Sequence, residues 1–182
     1  MEIALLGAIV AVLAALFQGG SLERLARTNF KAVFLLVSGL ALQVLFGIWS
    51  PSWLTDWGGL TVLVVSNLLV LAWLIVNRSL AGLLVAAVGL VMNLAVITVN
   101  GAMPVSADAV RAAGGDELEI SEGALKHEVL DDETRLSFLA DIIPVPGLGI
   151  LSAGDLVLAA GLALLAYRQT RWGEPAEDAA SG

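Results

Sequence analysis

The sequence contains no cysteine, a single histidine and few charged residues. The absence of cysteine excludes disulfide bonds and cysteine-ligated metal sites. Charged residues make up 14% of the 182 residues, whereas soluble domains contain about 25%. Only nine residues are lysine or arginine, and the formal net charge is −8. The composition therefore excludes a soluble globular enzyme, and it excludes a nucleic-acid-binding protein because no basic segment is available to neutralise phosphates.

Hydrophobic residues make up 58% of the sequence and are concentrated in five stretches, in which Asp155 is the single charged residue. A helix needs about 20 apolar residues, with a range of about 17 to 25, to cross the hydrocarbon core of a bilayer. Four stretches satisfy this length, and the first is shorter. The sequence thus predicts an all-α membrane protein with one domain over residues 1–172 and five transmembrane helices, at residues 3–17, 32–49, 59–76, 80–99 and 148–167.

Basic residues near the ends of the spans indicate the orientation of the bundle. Glu2 precedes the first stretch, whereas Arg24, Arg27 and Lys31 follow it. Short cytoplasmic loops collect lysine and arginine. We therefore predict that the N-terminus lies outside the cell and the C-terminus inside.

Residues 100–147 form a long, acidic connection that falls outside by the count of spans. Connections of this length usually have structure or function of their own. The pattern predicts a helix over 132–143 that lies on the membrane surface or caps the bundle, and a shorter helix over 106–113. The small, acidic residues 173–182 are typical of a disordered tail.

Four polar side chains interrupt the apolar stretches at a similar depth, roughly 9 to 12 Å below the outer surface at about 1.5 Å per residue. They are Gln43, Asn67, Asn93 and Asp155. A carboxylate within the membrane costs roughly 2.5 to 3.5 kcal/mol, so Asp155 must face protein or water. Ser152 lies one turn before it on the same helical face. We predict a polar layer beneath the 100–147 loop, which serves as interhelical hydrogen bonds, as a ligand or ion site, or as a proton relay.

His127 is followed by several acidic residues in the loop. One histidine with scattered carboxylates is a weak signal for a metal, because catalytic zinc sites use three protein ligands. We favour an exposed acidic surface here and predict neither a metal nor a cofactor.

The loop and its borders contain the most specific sequence motifs. They are NGAMPVS from Asn100, DETRLSFLADIIPVPG from Asp132 and LSAGD from Leu151. With these motifs the chain resembles a family of small bacterial integral membrane proteins known only as a domain of unknown function. The resemblance implies a bacterial inner-membrane location and no established activity. It also implies that one unit is formed by Asn100, Pro104, His127, Thr134, Asp141, Pro144, Gly154 and Asp155.

Three functions remain open at this point. The first is a non-enzymatic membrane protein whose outer face binds a small ligand, a lipid or a membrane protein partner. The second is a transport or ion-translocating component that uses Asp155, and the third is an enzyme acting on a lipid, with Asp141, His127 or Asp155 as acid or base. The lipid bilayer is the expected partner, and nucleic acid is not. The candidate ligand-binding residues are Gln43, Asn67, Asn93, Asn100, Ser152 and Asp155, with His127 and Asp141 as loop candidates.

Overall fold

The computed structural model describes residues 2–48, 56–115, 127–147 and 149–172. Within these residues the chain is mostly helical, as predicted. The helices are α1 (Glu2–Phe17), α2 (Leu22–Ala26), α3 (Val33–Ile48), α4 (Asp56–Val76), α5 (Leu83–Asn100), α6 (Ala107–Ala113) and α7 (Ala153–Trp172). The short strands are β1 (Met103–Val105), β2 (His127–Val129), β3 (Ile143–Val145) and β4 (Gly149–Leu151).

The long helices form a row in which each one packs against its neighbours. Helix α4 packs between α3 and α5, and α7 packs between α5 and α1. The short helix α2 lies against α7. The core of this bundle is apolar and is centred on Trp73, Leu74, Leu83 and Leu165.

Glycines allow α5 and α7 to approach closely. Gly82 at the start of α5 faces Gly161, and Gly89 faces Gly154 one level further along. A Cβ atom at Gly161 would lie 2.6 Å from the Gly82 carbonyl oxygen, and one at Gly154 would lie 2.8 Å from the Gly89 carbonyl oxygen. Small residues of this kind let membrane helices pack backbone against backbone.

At one end of the bundle, hydrogen bonds tie the helix ends and turns together. The Ser21 backbone NH donates to the Thr170 carbonyl over 2.8 Å, and the Arg24 guanidinium donates to the Arg171 carbonyl over 2.9 Å. The buried Asn77 side chain accepts from the Lys31 backbone NH over 2.7 Å and donates to its carbonyl over 3.0 Å. These bonds place the basic residues that follow α1 and α4 at the same end as Arg171 in the last turn of α7.

The loop at the opposite end contains two small sheets. Strand β1, which directly follows α5, pairs in parallel with β2, and β3 pairs antiparallel with β4. The predicted helix over 106–113 is present as α6, which begins after the cap residue Ser106 and ends at Gly114. Residues 116–126 of the loop and the predicted tail, residues 173–182, lie outside the described residues.

The predicted helix over 132–143 is wrong. The segment instead contains a turn, a 3-10 turn over Ser137–Leu139 and the start of β3. The Asp131 carboxylate accepts from the Glu133 backbone NH over 3.0 Å, and Leu136 has a left-handed φ of 54°. Side-chain bonds of this type compete with helix formation, and a left-handed residue interrupts a right-handed helix.

The last apolar stretch also differs from its predicted bounds. Helix α7 covers residues 153–172 rather than 148–167, because Gly149–Leu151 forms the strand β4. Asp155 consequently lies in the first turn of its helix, beside the loop.

Two helices within the described residues are long and apolar enough to cross a membrane, over Gly58–Val76 in α4 and Leu83–Asn100 in α5. Shorter apolar helical segments cover Leu6–Phe17 and Val33–Phe46. Large apolar side chains are exposed on all the long helices, among them Val10 on α1, Val37 on α3, Leu68 on α4, Val88 on α5 and Leu156 on α7.

Candidate functional site

A cavity of about 220 Å³ lies where the helix bundle meets the loop. Its walls come from α3, α4, α5, β1, the start of α7 and Asp141, two residues before β3. The polar lining consists of Gln43, Asn67, Asn93, Asp141 and Asp155, and the apolar lining consists of Leu63, Leu90, Ile97 and Met103. Four of the five polar residues belong to the polar layer predicted from the sequence.

The first turn of α7 fixes the Asp155 carboxylate. The Asp155 backbone NH donates to Ser152 Oγ over 3.0 Å, and the Ser152 backbone NH donates back to Asp155 Oδ2 over 3.1 Å. This reciprocal pair is a capping box, which satisfies two backbone NH groups at a helix start. Because both residues are held by their own backbone, the carboxylate has a defined position at the cavity wall.

Asn93 connects α5 to this first turn. Its Nδ2 donates to Asp155 Oδ1 over 2.7 Å, and its Oδ1 accepts from Ser152 Oγ over 2.9 Å. Ser152 is completely buried. The side chains of Asn93, Ser152 and Asp155 therefore connect α5 to the start of α7 by hydrogen bonds. Interhelical hydrogen bonding is one of the roles predicted for the polar layer.

Gln43 and Asn67 behave differently. Asn67 Nδ2 donates to the Leu63 carbonyl of its own helix over 2.7 Å, and within the described residues neither amide bonds to another helix. Helices α3 and α4 pack closely beside these two amides because Gly39 has no side chain. A Cβ atom at Gly39 would lie 2.8 Å from the Ser66 carbonyl oxygen. Both amides consequently retain hydrogen-bonding capacity toward the cavity.

Asp141 reaches the cavity from the loop and is 7% exposed. Its backbone NH donates to the Pro104 carbonyl and its carbonyl accepts from the Ser106 NH, both over 2.9 Å. The backbone NH of the next residue, Ile142, donates to the carbonyl of Leu151, the last residue of β4. The pKa of Asp141 is raised from 3.8 to about 7, chiefly by burial and secondly by the nearby charge of Asp155. The site thus holds two interacting carboxylates, one on the bundle and one on the loop.

Asn100 and His127 are the remaining candidates, and of His127 the structure describes only the backbone. Asn100 holds the loop to the end of α5, since its Nδ2 donates to the Val96 and Arg135 carbonyls and its Oδ1 accepts from the Arg135 NH, each over 2.9 Å. The His127 backbone lies in β2 opposite Met103. Ligand binding by any of these residues stays a prediction.

Sequence reasoning did not identify the role of Ser152 in the capping box. The signal was present, because Ser-x-x-Asp directly before an apolar run is the signature of this cap. That signature also places the helix start at residue 153.

The fold and the site define a mostly helical protein with membrane-crossing candidates and a cavity lined by amides and carboxylates. The chain belongs to DUF5317, a family of unknown function, whose sequence profile matches residues 27–167. This agrees with the resemblance to an uncharacterised family found from the motifs. No curated protein and no solved structure matches the chain.

Proposed function

We propose that the protein is a five-span membrane protein of the bacterial inner membrane that binds a small polar ligand in the cavity at its outer end. The observation that carries this proposal is a difference in hydrogen bonding between the side chains of the polar layer. Asn93 and Asp155 are bonded within the protein, whereas the Gln43 and Asn67 amides face the cavity with hydrogen-bonding capacity left over.

The apolar surface supports a membrane location. Helices α1, α3, α4, α5 and α7 all expose large apolar side chains. Exposed apolar side chains in this number are unfavourable in water and favour contact with a membrane or a partner. These helices make up the five proposed spans.

The distribution of basic residues supports the orientation. Arg24, Lys31, Arg78 and Arg171 lie near the end joined by the Asn77 and Thr170 hydrogen bonds, and the acidic cavity lies toward the other end. Lysine and arginine in short loops mark the cytoplasmic side.

We expect a reporter fused after Gly182 to be active in the cytoplasm, and a reporter inserted between Gly114 and Gly115 to be active outside. The reason is that five spans place these sites on opposite sides of the membrane. Paired alkaline phosphatase and fluorescent protein fusions measure this. Two reporters on the same side would contradict the five-span arrangement.

The interior of the bundle favours binding over translocation. Between the cavity and the basic end the core is mainly apolar, with Trp73, Leu74 and Leu83. The buried polar side chains Ser66 and Asn77 are bonded there to backbone carbonyls. A proton or ion pathway across the membrane requires polar groups or water at intervals. The cavity therefore suits a ligand that enters and leaves on the same side.

We expect the double variant Gln43→Met and Asn67→Leu to fold normally and to lose ligand-induced stabilisation. Both replacements keep a similar volume but remove the amides that face the cavity. A probe at ten times its Kd stabilises by about 1.4 kcal/mol, which is roughly 3 to 6 °C in Tm for a chain of this size. Thermal unfolding with glycerol, ethylene glycol, glycine and ethanolamine as probes measures the effect.

Thr98→Val provides the control for this experiment, because Thr98 is exposed on α5 and, among the described residues, its hydroxyl bonds only to the Leu94 carbonyl of its own helix. It should retain the full shift. Equal shifts in the double variant and the wild type, for every probe that stabilises the wild type, would overturn the ligand site.

A further inference from the structure

We propose that the cavity binds a primary ammonium group carrying a short carbon chain, with Asp141 and Asp155 as its charged partners. This inference rests on the proposed function, since it names the chemical class of the ligand for the same cavity.

The charge of the lining selects a cation. Asp141 and Asp155 are the charged residues among the described residues that line the cavity, and both are acidic. Burial and the Asp155 charge raise the pKa of Asp141 to about 7, although the positive chain terminus acts in the opposite direction. A cation between the two carboxylates would offset both the burial and the repulsion, whereas an anion would add a third negative charge.

The hydrogen-bonding groups match an ammonium ion. A primary ammonium carries three NH donors and no acceptor. Asp155 already accepts from Asn93 and from the Ser152 backbone, but each carboxylate oxygen accommodates more than one bond. The Asp141 carboxylate and the amide oxygen of Asn67 or Gln43 supply the other acceptors. A quaternary ammonium has no NH group and would leave these acceptors unused.

The apolar part of the lining favours an organic cation over a bare metal ion. Leu63, Leu90, Ile97 and Met103 share the walls with the carboxylates. Hard divalent cations prefer a shell made of oxygen ligands, so apolar walls of this extent suit the carbon chain of a small amine.

The ammonium group can come from two sources. One is a free amine from outside the cell, and the other is the headgroup of an aminophospholipid in the outer leaflet. Both present the same NH donors on a short carbon chain, so the test must separate them.

The experiment uses the full-length protein in nanodiscs, in phosphate buffer without amine. Phosphatidylcholine discs receive free ethanolamine, choline or ethylene glycol, and a second set of discs contains phosphatidylethanolamine. We expect ethanolamine to bind at least tenfold more tightly than choline or ethylene glycol by calorimetry. If the headgroup is the natural source, phosphatidylethanolamine discs should raise Tm and weaken binding of the free amine; if the free amine is, the two lipid compositions should give the same affinity.

Variants test the charged partners. Asp141→Asn and Asp155→Asn should each weaken ethanolamine binding at least tenfold, because a charge-assisted hydrogen bond is lost. Asp132→Asn, an identical change at an exposed loop residue, should leave the affinity unchanged. The comparison of ethanolamine with choline on the wild type does not depend on any variant folding.

The outcomes separate this inference from the function on which it rests. Ethylene glycol or choline binding as tightly as ethanolamine, or tight binding of Mg²⁺ or Ca²⁺ in place of ethanolamine, would overturn the ammonium proposal and leave a polar-ligand site. If every probe that stabilises the wild type had the same effect on the double variant Gln43→Met and Asn67→Leu, the ligand site itself would be overturned as well.

Discussion

Gly161→Ala is expected to separate α5 from α7 and to lower the stability of the protein strongly. The added Cβ would overlap the Ala86 backbone nitrogen and lie 2.6 Å from the Gly82 carbonyl oxygen. Backbone atoms cannot move aside as a flexible side chain can. Overpacking of this kind costs about 1 to 3 kcal/mol, and a fixed backbone places the cost toward the upper end. The corresponding fall in Tm is roughly 4 to 12 °C.

Gly7→Ala is the matched control, since Gly7 also faces α7. Its added Cβ would meet the Ala163 Cβ at 4.0 Å, an ordinary van der Waals distance. Alanine favours the helix by up to about 1 kcal/mol over glycine, so this variant should be as stable as the wild type or slightly more so. Thermal unfolding in nanodiscs, followed by tryptophan fluorescence, compares the two. Similar Tm values for Gly161→Ala and Gly7→Ala would contradict the close α5–α7 contact.

The separation of α5 from α7 in Gly161→Ala should also change the cavity. Gly154 packs against Gly89 on the same two helices, and Asn93 bonds to Asp155 one turn further. Glycine contacts and the Asn93 bond therefore hold the same pair of helices at two levels. A chain with Gly161→Ala should lose probe binding together with stability.

The long helices follow directly from composition. Apolar residues cannot remain in water, and the stretches 59–76 and 80–99 agree with α4 and α5 to within three residues at each end. The error at 148–152 has a physical cause. A short apolar run such as Gly149–Leu151 is compatible with a strand or a helix, and periodicity alone does not distinguish them.

Counting residues from the helix ends predicts which polar side chains lie at the same depth. A fixed rise per residue brings Gln43, Asn67, Asn93 and Asp155 to a similar level, and the structure places all four at one cavity. Whether an amide bonds across helices or faces open space depends on side-chain geometry, which no sequence pattern encodes. Asp141 is positioned by backbone bonds to β1, a parallel pairing across a long loop that local sequence does not reveal.

Asp141→Asn is expected to stabilise the protein at high pH and to leave it unchanged at low pH. The pKa of Asp141 is about 7 in the folded chain and 3.8 ordinarily. Between these values the folded form retains a proton that the unfolded form releases. The free energy of unfolding of the wild type therefore falls as pH rises from about 4 to 7 and is level above, and the total loss is at most about 4 kcal/mol.

Asparagine carries no charge at any of these pH values, so the variant should lack this fall. The Tm difference between variant and wild type should be near zero at pH 4 and grow to as much as roughly 8 to 16 °C at pH 8. Asp132→Asn, at an exposed position, should follow the wild type throughout. We expect the Tm of the wild type to fall relative to that of Asp141→Asn between pH 4 and 7. If it does not fall, the buried carboxylate does not destabilise the fold.

The same variant links stability to function. A carboxylate that destabilises the folded chain at neutral pH is typical of a functional site, where function often reduces stability. If Asp141→Asn is more stable at pH 8 but no longer binds ethanolamine, Asp141 is kept for the ligand. If it is more stable and still binds ethanolamine with wild-type affinity, Asp141 is not a partner of the amine, and the proposed pairing of one ammonium group with two carboxylates is overturned.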